Sequence, residues 1–303
     1  MFYYRYNKIK SLYYLFLNVL IFIVYNGIIS ILKIQYKEAK NIITRSNIPT
    51  IDFVINPYIG CQHGCIYCYA EFMKRFTNHK GDKWGQFLDV KTYDYDKIKP
   101  QRYNGKRILL SSVTDPYIPL ELKYQNTRKI LENLIGTEAE ISILTKSKFV
   151  VRDIDLFKKF ENIEVGISIN TLDKEFAKII EPGASRPLER LNALKEIHKN
   201  NIQTYTFISP FFPELTDFQA IIEVAFDYSD GFMFENLNFR PHNIPRIMNI
   251  IKARYSRLLP VYQDFRVNHA RWDIIEEKIK EFCLNKKISD FKIEFHHGGF
   301  SKS

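Results

Sequence analysis

Cysteine is scarce in this chain: there are four in 303 residues, and three of them, Cys61, Cys65 and Cys68, share one short run. Only Cys283 is left over, so no pair remains for a structural disulfide, and a disulfide-stapled secreted scaffold is excluded. Internal repeats and low-complexity tracts are also missing. Acidic residues are nearly absent from the first 45 positions, where Glu38 alone faces seven Lys and Arg. That gives a local charge of +6 and leaves +4 of the total +10 for residues 46–303. A surplus that modest is compatible with phosphate binding and does not establish it. Charge of either sign is lacking from residues 12–32, which as a helix would span roughly 30 Å, the hydrocarbon thickness of a bilayer. Basic residues flank this run on both sides, so the positive-inside rule gives no orientation. No small-residue cleavage site marks it as a secretory signal. It is expected to be a hydrophobic amino-terminal helix: a membrane anchor, an interfacial helix, or an upstream extension from a wrongly assigned start.

What is present begins with a 46% hydrophobic composition, enough for a sizeable core. The cysteines stand in Asn56-Pro57-Tyr58-Ile59-Gly60-Cys61-Gln62-His63-Gly64-Cys65-Ile66-Tyr67-Cys68-Tyr69. Spacings of three and then two residues, in a loop made pliable by Gly60 and Gly64, let three thiolates converge on a small metal centre. One reading is an iron-sulfur cube with three irons held by the protein and the fourth open to a substrate or cofactor. The other is a zinc knot with His63 as fourth ligand, although structural zinc usually draws paired ligands from C-x2-C elements. Thiols kept free in this way point to a reducing compartment, and the catalytic part is expected to be cytoplasmic.

After residue 50 short apolar runs alternate with amphipathic segments, the pattern of repeated strand-helix units. Expected strands are Ile51–Asn56, Arg107–Val113, Glu140–Lys146, Ile163–Ile169, Ile202–Ser209 and Gly231–Asn238, with a short final one at Phe291–Phe295. Expected helices are Thr127–Ile135, Ile154–Phe160, Leu172–Ile180, Leu188–His198, Asp217–Tyr228 and Trp272–Leu284. In the fifth of these, Phe218, Ile221, Ile222, Ala225 and Phe226 share one face. The fold class is therefore α/β, a partial (β/α)6 TIM-type barrel whose site lies at the carboxyl ends of the strands. The expected organisation is a hydrophobic, basic segment over 1–45, a barrel over 46–240 and a helical carboxyl-terminal cap over 241–303. Residues 77–106 read as a long, partly ordered excursion. Adjacent His296 and His297 would point to opposite faces of a strand, which argues against a second metal site.

The C-x3-C-x2-C run with Tyr67 before its last cysteine resembles the signature of the radical S-adenosylmethionine enzymes. Over about residues 50–215 the likeness narrows to their spore photoproduct lyase-like branch. It is carried by the cysteine run, by Thr114-Asp115-Pro116-Tyr117-x-Pro119-x-Glu121, by Thr145-Lys146-Ser147 with Arg152-Asp153-Ile154-Asp155-Leu156, and by Ser168-Ile169-x-Thr171-Leu172-Asp173 with Glu181-Pro182-Gly183-Ala184 and Arg190-Leu191.

The resemblance implies a 4Fe-4S cluster on Cys61, Cys65 and Cys68, whose open iron chelates S-adenosylmethionine. An electron then cleaves that cofactor to methionine and a 5'-deoxyadenosyl radical, so a flavodoxin- or ferredoxin-type reductant is an implied partner. It further implies that Tyr67 meets the adenine, largely through its backbone. Ser111, Ser112 and Thr114 receive the methionine amino group, Lys146 the carboxylate, and Ser168 and Asn170 the ribose. Asp115 either serves the cofactor or caps the turn before Pro116. Arg190 either reaches the cofactor or pairs with Glu181. Tyr69 matches a hydrogen-relaying tyrosine, or else is a buried aromatic on the cluster loop.

One position departs from the lyase, which has a cysteine near the end of the second strand to donate hydrogen to the product radical. Here that position is Ser112. The substrate is thus left as nucleic acid, a peptide or transfer RNA, with a zinc-stabilised, noncatalytic nucleic-acid-binding module as the rival class. No motif of the cofactor site precedes residue 51, so a chain begun near Ile34 is expected to keep its chemistry, with residues 12–32 its only link to a membrane.

Overall fold

The computed structural model describes residues 19–25 and 28–296. The chain opens with strands β1 (Val19–Tyr25), β2 (Ile28–Glu38) and β3 (Ile43–Arg45), then β4 (Phe53–Ile55), β5 (Tyr58–Ile59) and β6 (Phe87–Thr92). Next come β7 (Arg107–Leu110), β8 (Glu140–Thr145), β9 (Ile163–Ser168), β10 (Gln203–Phe211), β11 (Gly231–Asn236) and β12 (Phe291–Glu294). An eight-stranded sheet runs β12-β11-β10-β9-β8-β7-β4-β3. Its neighbours from β4 to β12 pair in parallel, and only the edge strand β3 is antiparallel. All six expected barrel strands are there, with the short final one added as a seventh parallel member. This is the partial TIM-type barrel.

The strands form where apolar runs can be buried on both faces, as parallel sheets require. In β9 five of six residues are buried. Helices follow with local start signals. The Asp173 carboxylate accepts from the amides of Glu175 and Phe176 at 2.8 and 3.1 Å and caps Lys174–Ile180. Asp217 does the same for Phe218–Ala225 through the Ala220 amide at 3.0 Å. Pro187 opens Pro187–Lys199, where Glu189 reaches back to the Arg186 amide at 2.8 Å.

One expected core residue is turned out. Ile221, Ile222 and Ala225 are fully buried, but Phe226 is 46% exposed. The α-helix ends at Ala225 and gives way to a 3-10 turn over Phe226–Tyr228, and the tighter winding rotates the ring off the shared face. Beyond β11, Ile244–Arg254, Leu259–Phe265 and Ala270–Asn285 are helical. Their Ile247, Ile251, Tyr262, Trp272 and Ile279 join the same core as the barrel.

The amino-terminal expectation fails in the described residues. Residues 19–25 and 28–38 are paired antiparallel strands, not a helix; residues 12–18 and 26–27 of the uncharged run lie outside the described set. No described helix is long and apolar enough to cross a membrane. A run without charges has the composition of either a helix or a strand, and here β-sheet partners decide. β2 pairs in parallel with β6, which pairs antiparallel with β5, forming a second sheet of order β1-β2-β6-β5. The segment expected to be a partly ordered excursion thus supplies the central strand β6. Leu32 and Ile34 of β2 pack with Tyr58, Cys61, Trp84, Phe87 and Ile118 in a small core of their own.

Starting the chain near Ile34 therefore cuts β2 and deletes Leu32. Burial of one such leucine contributes about 1.5–3 kcal/mol, and the strand it anchors backs onto Cys61. A chain begun at Ile34 is expected to aggregate or to hold less iron after anaerobic reconstitution than the full chain. Equal iron and an equal melting temperature would show the small sheet to be dispensable.

Candidate active site

The cysteine loop leaves β5 and is moulded by close backbone approaches. Gly60 (φ 91°) and Gly64 (φ 57°) both lie in the left-handed region. A Cβ on Gly60 would meet the Phe87 carbonyl at 2.6 Å, and one on Gly85 (φ 94°) would meet Gly64 Cα at 2.8 Å. The loop is thus seated directly on Gly85–Phe87. His79 ties that segment down, with its two ring nitrogens 2.7 Å from Asp82 and 2.9 Å from Asp89.

Cys61 and Cys65 are buried and Cys68 is half-buried. Burial pushes all three thiols up, with Asp115 adding to the effect at Cys61 and Glu181 at Cys65. Thiols in such surroundings ionise only when a metal centre supplies compensating positive charge. His63 does not join them: its Nδ1 faces the Asp115 carboxylate at 3.3 Å, and burial pushes its pKa down despite that neighbour. A zinc knot would need His63 as its fourth ligand, and the Asp115 contact turns that ring nitrogen away from such a role.

The other candidate residues stand at the carboxyl ends of β7, β8 and β9. Asp115 is a hub, accepting from the Tyr117 amide (2.8 Å), Thr145 Oγ1 (2.7 Å) and the Lys146 amide (2.8 Å). Those bonds commit both its oxygens to locking the end of β7 to the end of β8. Thr114 donates its hydroxyl hydrogen to the Gly60 carbonyl at 2.7 Å. Ser112 is held by Asn56, whose Oδ1 accepts from the Ser112 and Val113 amides at 3.0 Å each and whose Nδ2 donates to Ser112 Oγ at 3.1 Å. The Ser111 hydroxyl is buried and has no hydrogen-bond partner among the described residues. Lys146 makes no ion pair among the described residues; its ammonium lies 5.9 Å from the centre of the Tyr67 ring.

Glu181 and Arg190 form the buried pair expected as one reading. Arg190 donates to Glu181, to the Ser185 carbonyl (2.7 Å) and to the Ser168 carbonyl (2.9 Å). Glu181 also accepts from the Tyr67 hydroxyl and from Asn170 Nδ2 at 3.2 Å. Burial would raise the Glu181 pKa, but Arg190, Lys146 and these donors outweigh it and hold the carboxyl below its ordinary value. Arg190 therefore spends its donors on the protein. Asn170 Oδ1 is buried without a partner, while Ser168 donates to the Ser209 carbonyl at 3.0 Å. Tyr69 is not a buried aromatic: it is 43% exposed, and its hydroxyl donates to the Ser112 carbonyl.

Sequence reasoning missed three contributions. Asn243 Nδ2 donates to the Tyr67 carbonyl at 2.8 Å, and His242 Nε2 lies 3.1 Å from the Cys68 carbonyl, so the segment before Ile244–Arg254 clamps the cysteine loop. Asn56 stood inside the quoted motif, and its capping of the loop after β7 was legible only as an uncommitted amide. Ser209, Glu235 and His296 line the ends of β10 to β12. Ser209 Oγ donates to Glu235 at 2.7 Å, and His296 Nε2 lies 2.9 Å from the same carboxylate. That bond raises the His296 pKa; His297 lies outside the described residues.

Comparison with known proteins decides the family. The sequence profile of the radical SAM superfamily matches residues 55–225, more than half of the chain. The chain belongs to the radical SAM superfamily. An uncharacterised protein of Methanocaldococcus jannaschii is 45% identical over 71% of this chain and 80% of its own length. The radical SAM Nalpha-GlyT isomerase of Pseudomonas phage M6 is 25% identical over 52% of this chain and 32% of its own length. The fold is that of spore photoproduct lyase. A solved variant of that enzyme, with bound AdoMet and dinucleoside spore photoproduct, matches with a TM-score of 0.63 at 16% identity over 87% of this chain and 82% of that one. This radical SAM protein is an enzyme, and its family implies S-adenosylmethionine and an iron-sulfur cluster. Three free cysteines on one short loop, a lysine without an ion pair among the described residues, and two partnerless buried oxygens at the neighbouring strand ends fit that pair of groups.

Proposed function

We propose that the chain holds a 4Fe-4S cluster on Cys61, Cys65 and Cys68 and binds S-adenosylmethionine across the ends of β7, β8 and β9, acting on a nucleic-acid base. The observation that carries this reading is that, of the four partnerless buried side-chain oxygens among the described residues, Ser111 Oγ and Asn170 Oδ1 stand at the strand ends beside the cysteine loop, the other two being the Tyr117 and Tyr124 hydroxyls. A buried polar atom left unpaired costs about 1–3 kcal/mol, so both await a polar ligand. Ser111 Oγ accepts from the amino group and Asn170 Oδ1 from a ribose hydroxyl, while the Lys146 ammonium, a compact point charge, meets the carboxylate. When bound, the cluster and cofactor supply one-electron cleavage to methionine and a 5'-deoxyadenosyl radical, which abstracts hydrogen from the substrate.

Asp115, Asn56 and the Glu181–Arg190 pair act on the site through other residues, fixing the strand ends that carry these groups. Thr114 and Ser168 donate their hydroxyl hydrogens to the Gly60 and Ser209 carbonyls and so can offer only lone pairs, whereas Ser112 Oγ accepts from Asn56 and keeps its hydrogen to donate. A base as substrate is supported by the dinucleoside bound to the fold's solved neighbour. Reversal of the spore-type thymine dimer is not part of the reading. The Ser112 hydroxyl bond is far harder to break homolytically than a thiol S–H.

The test is anaerobic reconstitution followed by dithionite reduction with S-adenosylmethionine, with and without ultraviolet-irradiated DNA. 5'-Deoxyadenosine is expected in both, more with DNA, without clean dimer reversal; Ser112→Cys should increase any clean product. No 5'-deoxyadenosine from an iron-loaded chain would overturn the enzyme reading. Efficient reversal by the unaltered chain, undiminished in Cys283→Ala, would overturn the reading of Ser112.

A further inference from the structure

Immediately after Cys68 the 3-10 helix Tyr69–Phe76 borders a surface hollow lined by Glu71, Phe72, Lys74, Arg75, Lys80 and His242. Positive charge dominates it. The one acid, Glu71, is shared between Lys74 at 3.3 Å and Arg246 at 2.5 Å, which leaves a surplus that exposed Arg75 and Lys80 enlarge. Lys37 adds a further cation at the same end, donating to the Phe76 carbonyl at 3.3 Å. The wall of the hollow touches the ligand loop itself, because His242 lies 3.1 Å from the Cys68 carbonyl.

We propose that this hollow is the docking surface for an acidic, flavodoxin-type one-electron carrier, a partner that follows from the function proposed above. Chemistry that consumes one electron per turnover needs a donor brought close to the metal centre, and this is the basic surface that adjoins its third ligand. A basic patch steers an acidic protein and sets its orientation, mostly through the rate of association. The carrier is oxidised by one electron and the metal centre takes it up; no bond or proton moves. A single-stranded nucleic acid would instead need open aromatic faces for stacking. Here the Arg75 guanidinium lies 5.1 Å from the Phe72 ring centre and 4.6 Å from that of Phe76, so it occupies both.

The experiment compares the full chain with its Arg75→Glu/Lys80→Glu variant, neither residue having a place in the cofactor site. Oxidised flavodoxin is titrated against each at low and high salt, and 5'-deoxyadenosine is measured with reduced flavodoxin and, separately, with dithionite. The variant is expected to bind flavodoxin about tenfold or more weakly at low salt, with the difference shrinking as salt screens the charges. Iron content and the dithionite-driven rate should be unchanged. Equal affinity of both chains for flavodoxin overturns the proposal, as does a parallel fall in the dithionite-driven rate. Loss of affinity for a single-stranded oligonucleotide, with flavodoxin binding intact, would assign the surface to nucleic acid instead. If dithionite drives no cleavage even in the unaltered chain, the enzyme reading has failed, while the flavodoxin titration still reports on the surface.

Discussion

Cys61→Ala, Cys65→Ala and Cys68→Ala should each leave the purified, reconstituted chain with background iron and no measurable 5'-deoxyadenosine. Losing an outer partner of a metal ligand already costs about 10–100-fold in affinity or activity; losing one of three thiolates removes a direct bond to the metal. The one histidine within the loop, His63, does not stand ready to substitute, since its Nδ1 is turned to Asp115. Cys283→Ala is the control. That thiol is buried in the helix Ala270–Asn285 among core side chains, so its loss should lower stability by about 1 kcal/mol and leave iron untouched. The measurement is iron and sulfide per folded chain, with folding checked by circular dichroism. Full iron in any of the three loop variants would sink the assignment.

Arg190→Met should be the most destabilising single change at the site, costing about 3–5 kcal/mol at neutral pH, because it leaves a buried carboxylate without its partner. Glu181 loses Arg190, and the Ser168 and Ser185 carbonyls lose donors with it. The penalty should depend on pH with a definite sign. In the native chain the Glu181 pKa lies below its ordinary value, so its stabilising contribution is present above the unfolded value of roughly 4.3 and fades as pH falls through the lower, folded one. Without Arg190, burial dominates and the folded pKa rises. The variant is then penalised fully at neutral pH, and the penalty shrinks as acid protonates Glu181. Urea unfolding at pH 7 and near pH 4.5 checks this; an equal loss at both would show that Glu181 is not the group left unpaired.

The barrel was legible because its strands are short apolar runs rich in Ile, Val and Leu, separated by amphipathic helices, two of which carry side-chain caps. Asp173 and Asp217 mark starts that a reader of the sequence can find. Of the uncharged run, residues 19–25 and 28–32 were misread because such a run carries composition without period, and what makes β2 a strand is its pairing with β1 and with β6, more than fifty positions on. β6 itself was hidden: Phe87-Leu88-Asp89-Val90 puts a buried aspartate, held by His79, where an apolar residue would advertise a strand. At the site, the cysteines and the Glu181–Arg190 pair stood out by residue type. The roles of Asn56, His242, Asn243 and Glu235 did not, because each is defined by a contact across the fold, and one sequence records no such distances.

The clamp on the cysteine loop also sets a clock for synthesis. His242 follows Cys68 by 174 residues, so at about 5–20 residues per second the ribosome exposes three unclamped thiols for on the order of ten to thirty seconds before the residues that close over them exist. A cluster assembled in that interval would meet the loop before the His242 and Asn243 contacts can form.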